Sequence, residues 1–154
     1  MYLMIKFKPL LLTFFLSLLV IMSACDSPSE DEDNLRICPQ CNMPLPKSNI
    51  HTSTVSGNFE TEYFDDVGCM VLWMKKNSID LDSVDLKVYS NDTKKYIDAK
   101  KAFYKFNEKT PMMYGFSAYE NKQDDVIYYE EVMMRMLRGE HMANPKIRKQ
   151  ILGY

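Results

Sequence analysis

The sequence predicts an α+β fold of two small ββα(β) units packed together, with a C-terminal helical segment. Three observations lead there. Two alternating apolar segments, an apolar helical face and a further alternating segment follow one another between Ile50 and Tyr89. A second series of similar order, without residue-level repetition, runs from Tyr96 to Leu137. The whole chain has 154 residues, 46% hydrophobic and 26% charged, enough for one ordinary domain or two very small ones. That composition excludes a polytopic membrane protein, a collagen and a wholly disordered chain.

In the first unit, Ile50–Val55 and Phe59–Tyr63 are rich in β-branched and aromatic residues and alternate in polarity. Ser56-Gly57-Asn58 between them suits a turn with positive φ, which predicts a β-hairpin. Asp65 is placed to cap a helix whose inner face is Val67, Met70, Val71 and Met74, at i, i+3, i+4 and i+7. Cys69 and Trp73 widen that face. Val84, Leu86 and Val88 alternate with Asp85, Lys87 and Tyr89, which predicts a third strand.

The second unit opens with a short extended piece at Tyr96-Ile97. Ala102–Phe106 and Met113–Tyr119 read as strands joined by a loop that contains Pro111. Tyr129, Val132, Met133, Met136 and Leu137 form a helical face that Gly139 closes. Asn144-Pro145 starts a last helix, Asn as cap and Pro in its first position, with Gly153 as its stop. The units divide at about 35–92 and 93–154. Met70, Met74, Met133 and Met136 lie among aliphatic neighbours on these helical faces and read as core packing.

The start of the chain has a different character. Lys6 and Lys8 precede a run from Pro9 to Met22 that is apolar or small, then Ser23-Ala24-Cys25. A basic start, a short apolar run and small residues describe an export signal, and the run is short for a membrane-spanning helix. Cys25 after Met-Ser-Ala resembles a bacterial lipobox. That resemblance implies a signal peptide over 1–24, an acylated Cys25 as the mature N-terminus, and a domain lipid-anchored on the periplasmic side of an envelope membrane. An uncleaved anchor or a plain signal peptide are the alternatives. Residues 25–34 hold no apolar side chain after the cysteine and four acids in succession from Glu30, so they read as a solvated tether before a domain at 35–154. Without residues 1–24 the chain carries 17 basic and 21 acidic side chains. No basic excess exists to neutralise phosphates, which argues against a nucleic-acid partner.

The chemistry sits on soft donors. Cys38-Pro39-Gln40-Cys41-Asn42-Met43 places two thiols and a thioether within six residues. Three readings compete. A redox dithiol exchanging disulfides through Cys38 and Cys41 would sit at the start of a helix after a strand, but Pro44 and Pro46 fall where that helix needs backbone donors. A structural zinc site takes four ligands; the chain offers one Cys-x-x-Cys, a lone Cys69 that reads as a small core residue, and two scattered histidines, His51 and His141. Copper(I) is the ion that thiolates and thioethers select. Pro44 favours an extended Met43 and Pro39 an extended Cys38, and in an extended chain Cys41 and Met43 share one face, roughly 7 Å apart at Cα. Met112 and Met113 follow Pro111 at a loop-to-strand junction, where adjacent side chains point to opposite sides. No nucleophile, base and orienter stand in a recognisable set, so binding is expected rather than catalysis.

In order along the chain, Cys38-Pro-Gln-Cys41-Asn-Met43, Tyr63-Phe-Asp-Asp-Val-Gly-Cys-Met70, Tyr96-Ile-Asp-Ala-Lys-Lys-Ala-Phe-Tyr104 and Thr110-Pro-Met112 resemble the NosL family. These are copper-binding lipoproteins that assist nitrous oxide reductase. The resemblance covers roughly Ile37 to Tyr119 and includes the lipobox; nothing transfers beyond Asp124. It implies two ββαβ units and Cu(I) held by Cys41, Met43 and Met112; Cys38 is expected to be secondary to Cys41, which alone has the Cys-x-Met spacing. It implies a periplasmic metallochaperone that delivers copper during nitrous oxide reductase maturation, in denitrification, with a passive metal-binding lipoprotein as the rival. Asn42 stands where the family usually has glycine. Met113 stands where a glycine commonly follows the ligand, which leaves Met112 and Met113 both open.

Overall fold

A computed structural model of the chain describes residues 36–153. The expected signal peptide, Cys25 and the tether lie outside these residues. Among the described residues the fold is α+β, with three α-helices, a four-stranded antiparallel sheet and a two-stranded sheet. No helix among them is long and apolar enough to cross a membrane.

The first sheet has the order β2-β1-β3-β4, from β1 (Ser53–Ser56), β2 (Glu62–Phe64), β3 (Asp85–Tyr89) and β4 (Tyr96–Asp98). Every neighbouring pair is antiparallel, with Val55 opposite both Glu62 and Leu86, and Val88 opposite Ile97. The alternation expected in β3 holds, since Leu86 and Val88 are buried while Asp85 and Lys87 are exposed. The β1–β2 turn differs from the expected tight turn. Neither Gly57 nor Asn58 has positive φ. The loop runs from Ser56 to Thr61, whose hydroxyls pair at 3.0 Å. The reason is Phe59, which folds back to 6.1 Å from the Trp73 ring. Gly57 leaves room for it, since a Cβ there would stand 3.0 Å from the Phe59 ring.

Tyr96–Asp98, read as the opening of the second unit, is hydrogen-bonded into the first sheet. Its anchor is Tyr96, whose ring packs edge-on against Tyr89 at 5.4 Å and whose hydroxyl meets Thr52 Oγ1 at 2.7 Å. The two-stranded sheet joins β5 (Phe103–Lys105) to β6 (Ser117–Tyr119). Met113–Phe116, expected in the strand, lie before it, because Met113 and Gly115 take positive φ (57° and 92°) and break the extended run.

Helix α1 (Val67–Lys76) packs its Val67, Met70, Val71 and Met74 face onto the first sheet and against α2 (Tyr129–Arg138). Burying a side chain such as Met70 contributes about 1.5–3 kcal/mol. One core results, running from Val55, Phe64 and Leu86 through Met70 to Tyr104, Phe116, Tyr129 and Val132. Met70, Met74 and Met136 are buried and Met133 is partly so, as core packing required. Gly139 ends α2 in the left-handed conformation. Asn144 caps α3 (Pro145–Leu152), accepting the Lys146 N–H at 3.1 Å, and Gly153 closes it.

Candidate metal centre

The Cys-x-x-Cys segment folds as a tight hairpin. Ile37 bridges Pro44, and the Leu45 N–H donates to the Arg36 carbonyl at 2.9 Å. Inside, the Cys38 N–H donates to the Met43 carbonyl at 2.8 Å and the Asn42 N–H to the Cys38 carbonyl at 2.9 Å. The turn closes because Asn42 adopts φ 64°, a conformation open to Asn and Gly at little strain. This corrects the extended Cys-x-Met: a left-handed residue between Cys41 and Met43 removes the shared extended face.

The other half comes from the start of α1. Asp66, not Asp65, is the helix cap; its carboxylate accepts the Gly68 N–H at 2.9 Å. The same carboxylate accepts the Met112 N–H at 3.3 Å and the Thr110 hydroxyl, so it also holds the loop at Pro111. Burial pushes Asp66 up to about 6. With the cap position taken, Asp65 is left to face the hairpin. Its carboxylate accepts the Cys41 thiol at 3.3 and 3.4 Å while only 1% exposed. Cys69 follows in the first helical turn, one turn on from Asp65.

One ligand atom from each of Cys38, Cys41, Asp65 and Cys69 lies within 4.8 Å of all the others, and this group could hold a metal ion. All three cysteines are free thiols, with Cys38 and Cys69 fully buried. The Cys69 thiol, aided by the Asp65 and Cys41 amides, draws Cys38 down to about 6 against its burial. Cys69 moves strongly the other way, through that same hydrogen bond and then burial. Burial pushes Cys41 up to about 12, with the Met43 amide opposing it. A bound cation would take the place of the thiol protons that hold the remaining sulfurs neutral.

Of the four residues named from the sequence, Cys38 and Cys41 belong to this group. Met43 is 46% exposed, and Met112 is half-buried in the turn that Asp66 holds, with Met113 beside it 40% exposed. His51 faces Ser117 at 3.3 Å, and His141 packs edge-on against Tyr114 at 4.9 Å. Tyr114 covers the start of α1, where a Cβ on Gly68 would stand 2.3 Å from its ring. Cys69 is the buried core residue expected and also belongs to this group, whereas Asp65 is not the cap expected and faces the Cys41 thiol instead. The signal that could have found both is the short Asp65-x-x-x-Cys69 spacing, which brings a carboxylate and a thiol to one helix start. No protein-family model matches the chain, and no curated protein is significantly similar to it.

Proposed function

We propose that the protein is a membrane-anchored, extracytoplasmic copper(I) metallochaperone that serves nitrous oxide reductase or its maturation machinery. The observation that carries the metal-binding part is the convergence of three thiols on one point. Thiolates select Cu(I) over harder ions. Two of the thiols belong to a short hairpin and one to a helix start. Met43, exposed and two residues from Cys41, and Met112, on the Asp66-held turn, are the thioethers the family resemblance names as ligands, and they mark the alternative to an all-thiol shell.

Two features of the backbone support the resemblance. Asn42 and Met113 replace glycines usual in that family, and both adopt positive φ, 64° and 57°. The resemblance also supplies the partner and the lipid anchor. One observation favours a second reading: Asp65 adds a hard oxygen donor, and a set of three cysteines and a carboxylate also suits tetrahedral zinc.

The test is anaerobic titration of the full chain with Cu(I) and with Zn(II) against competing chelators, followed by mixing the copper-loaded chain with copper-free nitrous oxide reductase. One Cu(I) per chain, held more tightly than zinc and passed to the enzyme, is the expected result. A site that retains zinc against copper, or copper that never leaves the chain, would sink the chaperone reading.

A further inference from the structure

We infer that α3 is a second membrane contact, a short cationic helix that lies on anionic lipid headgroups. After Glu140 the sequence contains no acid, while Lys146, Arg148 and Lys149 are all in α3. The rest of the chain has the opposite balance, 16 basic and 21 acidic residues. Among the described residues none of these three cations takes part in an ion pair. No residue of α3 is buried. Asn144 caps one end and Gly153 closes the other, and Ile147 and Arg148 are half-buried.

The helix carries apolar side chains as well as charge. Ile151 and Leu152 are 36% and 45% exposed at its end. Around the helix Leu152 falls between Arg148 and Lys149, with Ile151 on the far side of the half-buried Arg148 and Lys146 beyond Lys149. Apolar side chains beside cations are the composition of an interfacial helix. An acidic soluble protein would satisfy the cations and leave Ile151 and Leu152 in water. A lipid surface satisfies both, with phosphates for the cations and the acyl boundary for the aliphatic tip.

The inference rests on the proposed lipid anchoring. Residues 25–35 between the acylation site and the domain span at most about 40 Å. Such an anchor would hold the domain near the bilayer, and a basic patch adds to an acyl chain as a second attachment signal. Each basic side chain near an anionic surface contributes about a fivefold factor, so three give roughly a hundredfold preference over a neutral bilayer.

The experiment uses the full chain on vesicles of phosphatidylcholine alone or of phosphatidylcholine with phosphatidylglycerol. Lys146 and Lys149 are followed by amine acetylation and peptide mass mapping, with exposed Lys94 and Lys109 as internal controls. Slower labelling of Lys146 and Lys149 on the anionic vesicles alone, reversed by salt, is expected. Arg148→Glu, a change of two charge units, should cut that preference roughly 25-fold. Retention by neutral vesicles reports the anchor separately. Equal labelling on the two compositions overturns the inference whether or not the chain is retained. Protection by polyglutamate but not by anionic vesicles would assign α3 to an acidic protein and overturn it too.

Discussion

Two carboxylates in this molecule sit among loops and do opposite things. Asp92, in the turn between β3 and β4, takes the Ser90 hydroxyl, the Thr93, Glu120 and Asn121 amides at 3.0 Å, and the Asn121 side chain at 2.9 Å. It ties that turn to the segment after β6. Partial burial works against it, yet the hydroxyl and amide donors hold it well below the usual carboxylate range. Asp65 is far more buried, and among the described residues its side-chain oxygens take the Cys41 thiol, a weak donor. A carboxylate saturated with amides holds a loop in place. One left beside thiols keeps its capacity for a cation. The difference lies in supply: the Asp92 turn exposes backbone N–H groups, whereas the N–H groups at the start of α1 are already taken by Asp66.

The comparison can be broken at several points. The largest effect is expected from Cys69→Ser. Loss of an outer-shell partner alone typically weakens a metal site 10–100-fold, so loss of a thiolate should lower Cu(I) affinity at least about a hundredfold. Chelator competition measures it, and an unchanged affinity would return Cys69 to a packing role. Asp66→Ala removes the helix cap and the hold on Met112 and Thr110. It should cost about 2 kcal/mol in denaturant unfolding of the metal-free protein; a loss under half that would mean the loop at Pro111 is held by other contacts. Asp65→Asn keeps the shape and removes the charge. Affinity should fall about tenfold with stability little altered, and a large loss of stability instead would make Asp65 structural like Asp92.

Asp92→Ala should be the mildest, about 1 kcal/mol after allowance for exposure, with metal affinity untouched. Its pH dependence has a definite sign. The folded-state pKa is depressed, so the contribution is present above the unfolded value, about 3.9, and is lost as pH falls through it toward the lower folded value. Acid unfolding curves of wild type and Asp92→Ala should therefore converge below about pH 4. A constant gap down to low pH would remove the charge from the explanation.

Much of the fold was legible because its signals are local. The Val67–Met74 face, the Leu86–Val88 alternation, and the Gly139, Asn144-Pro145 and Gly153 boundaries each depend on neighbours within a turn or two. The position of β4 was not legible. Tyr96-Ile97 is too short to declare a partner, and its place is decided by Tyr89 and Thr52, which are distant in sequence. The site divides the same way. Cys38 and Cys41 were visible as a pair. Cys69 reads as packing from its apolar helix face, and its spacing from Asp65 is the one local sign that it meets a carboxylate. Asp65 and Asp66 are equally good caps on paper, and only the backbone at Asp66, φ −149° and ψ 144°, decides between them. The extended Cys-x-Met failed because proline restraint on Cys38 and Met43 says nothing about Asn42, the residue that turns the chain.

X-ray absorption on the Cu(I)-loaded protein decides between a thiol shell and a thioether shell, because it counts sulfur neighbours. The thiol cluster predicts a shell of three sulfurs that loses one in Cys69→Ser and stays whole in Met43→Ala and in Met112→Ala. A shell that loses a sulfur in each methionine variant and none in Cys69→Ser would contradict it, placing the ion on Cys41, Met43 and Met112 and leaving Cys69 to the core.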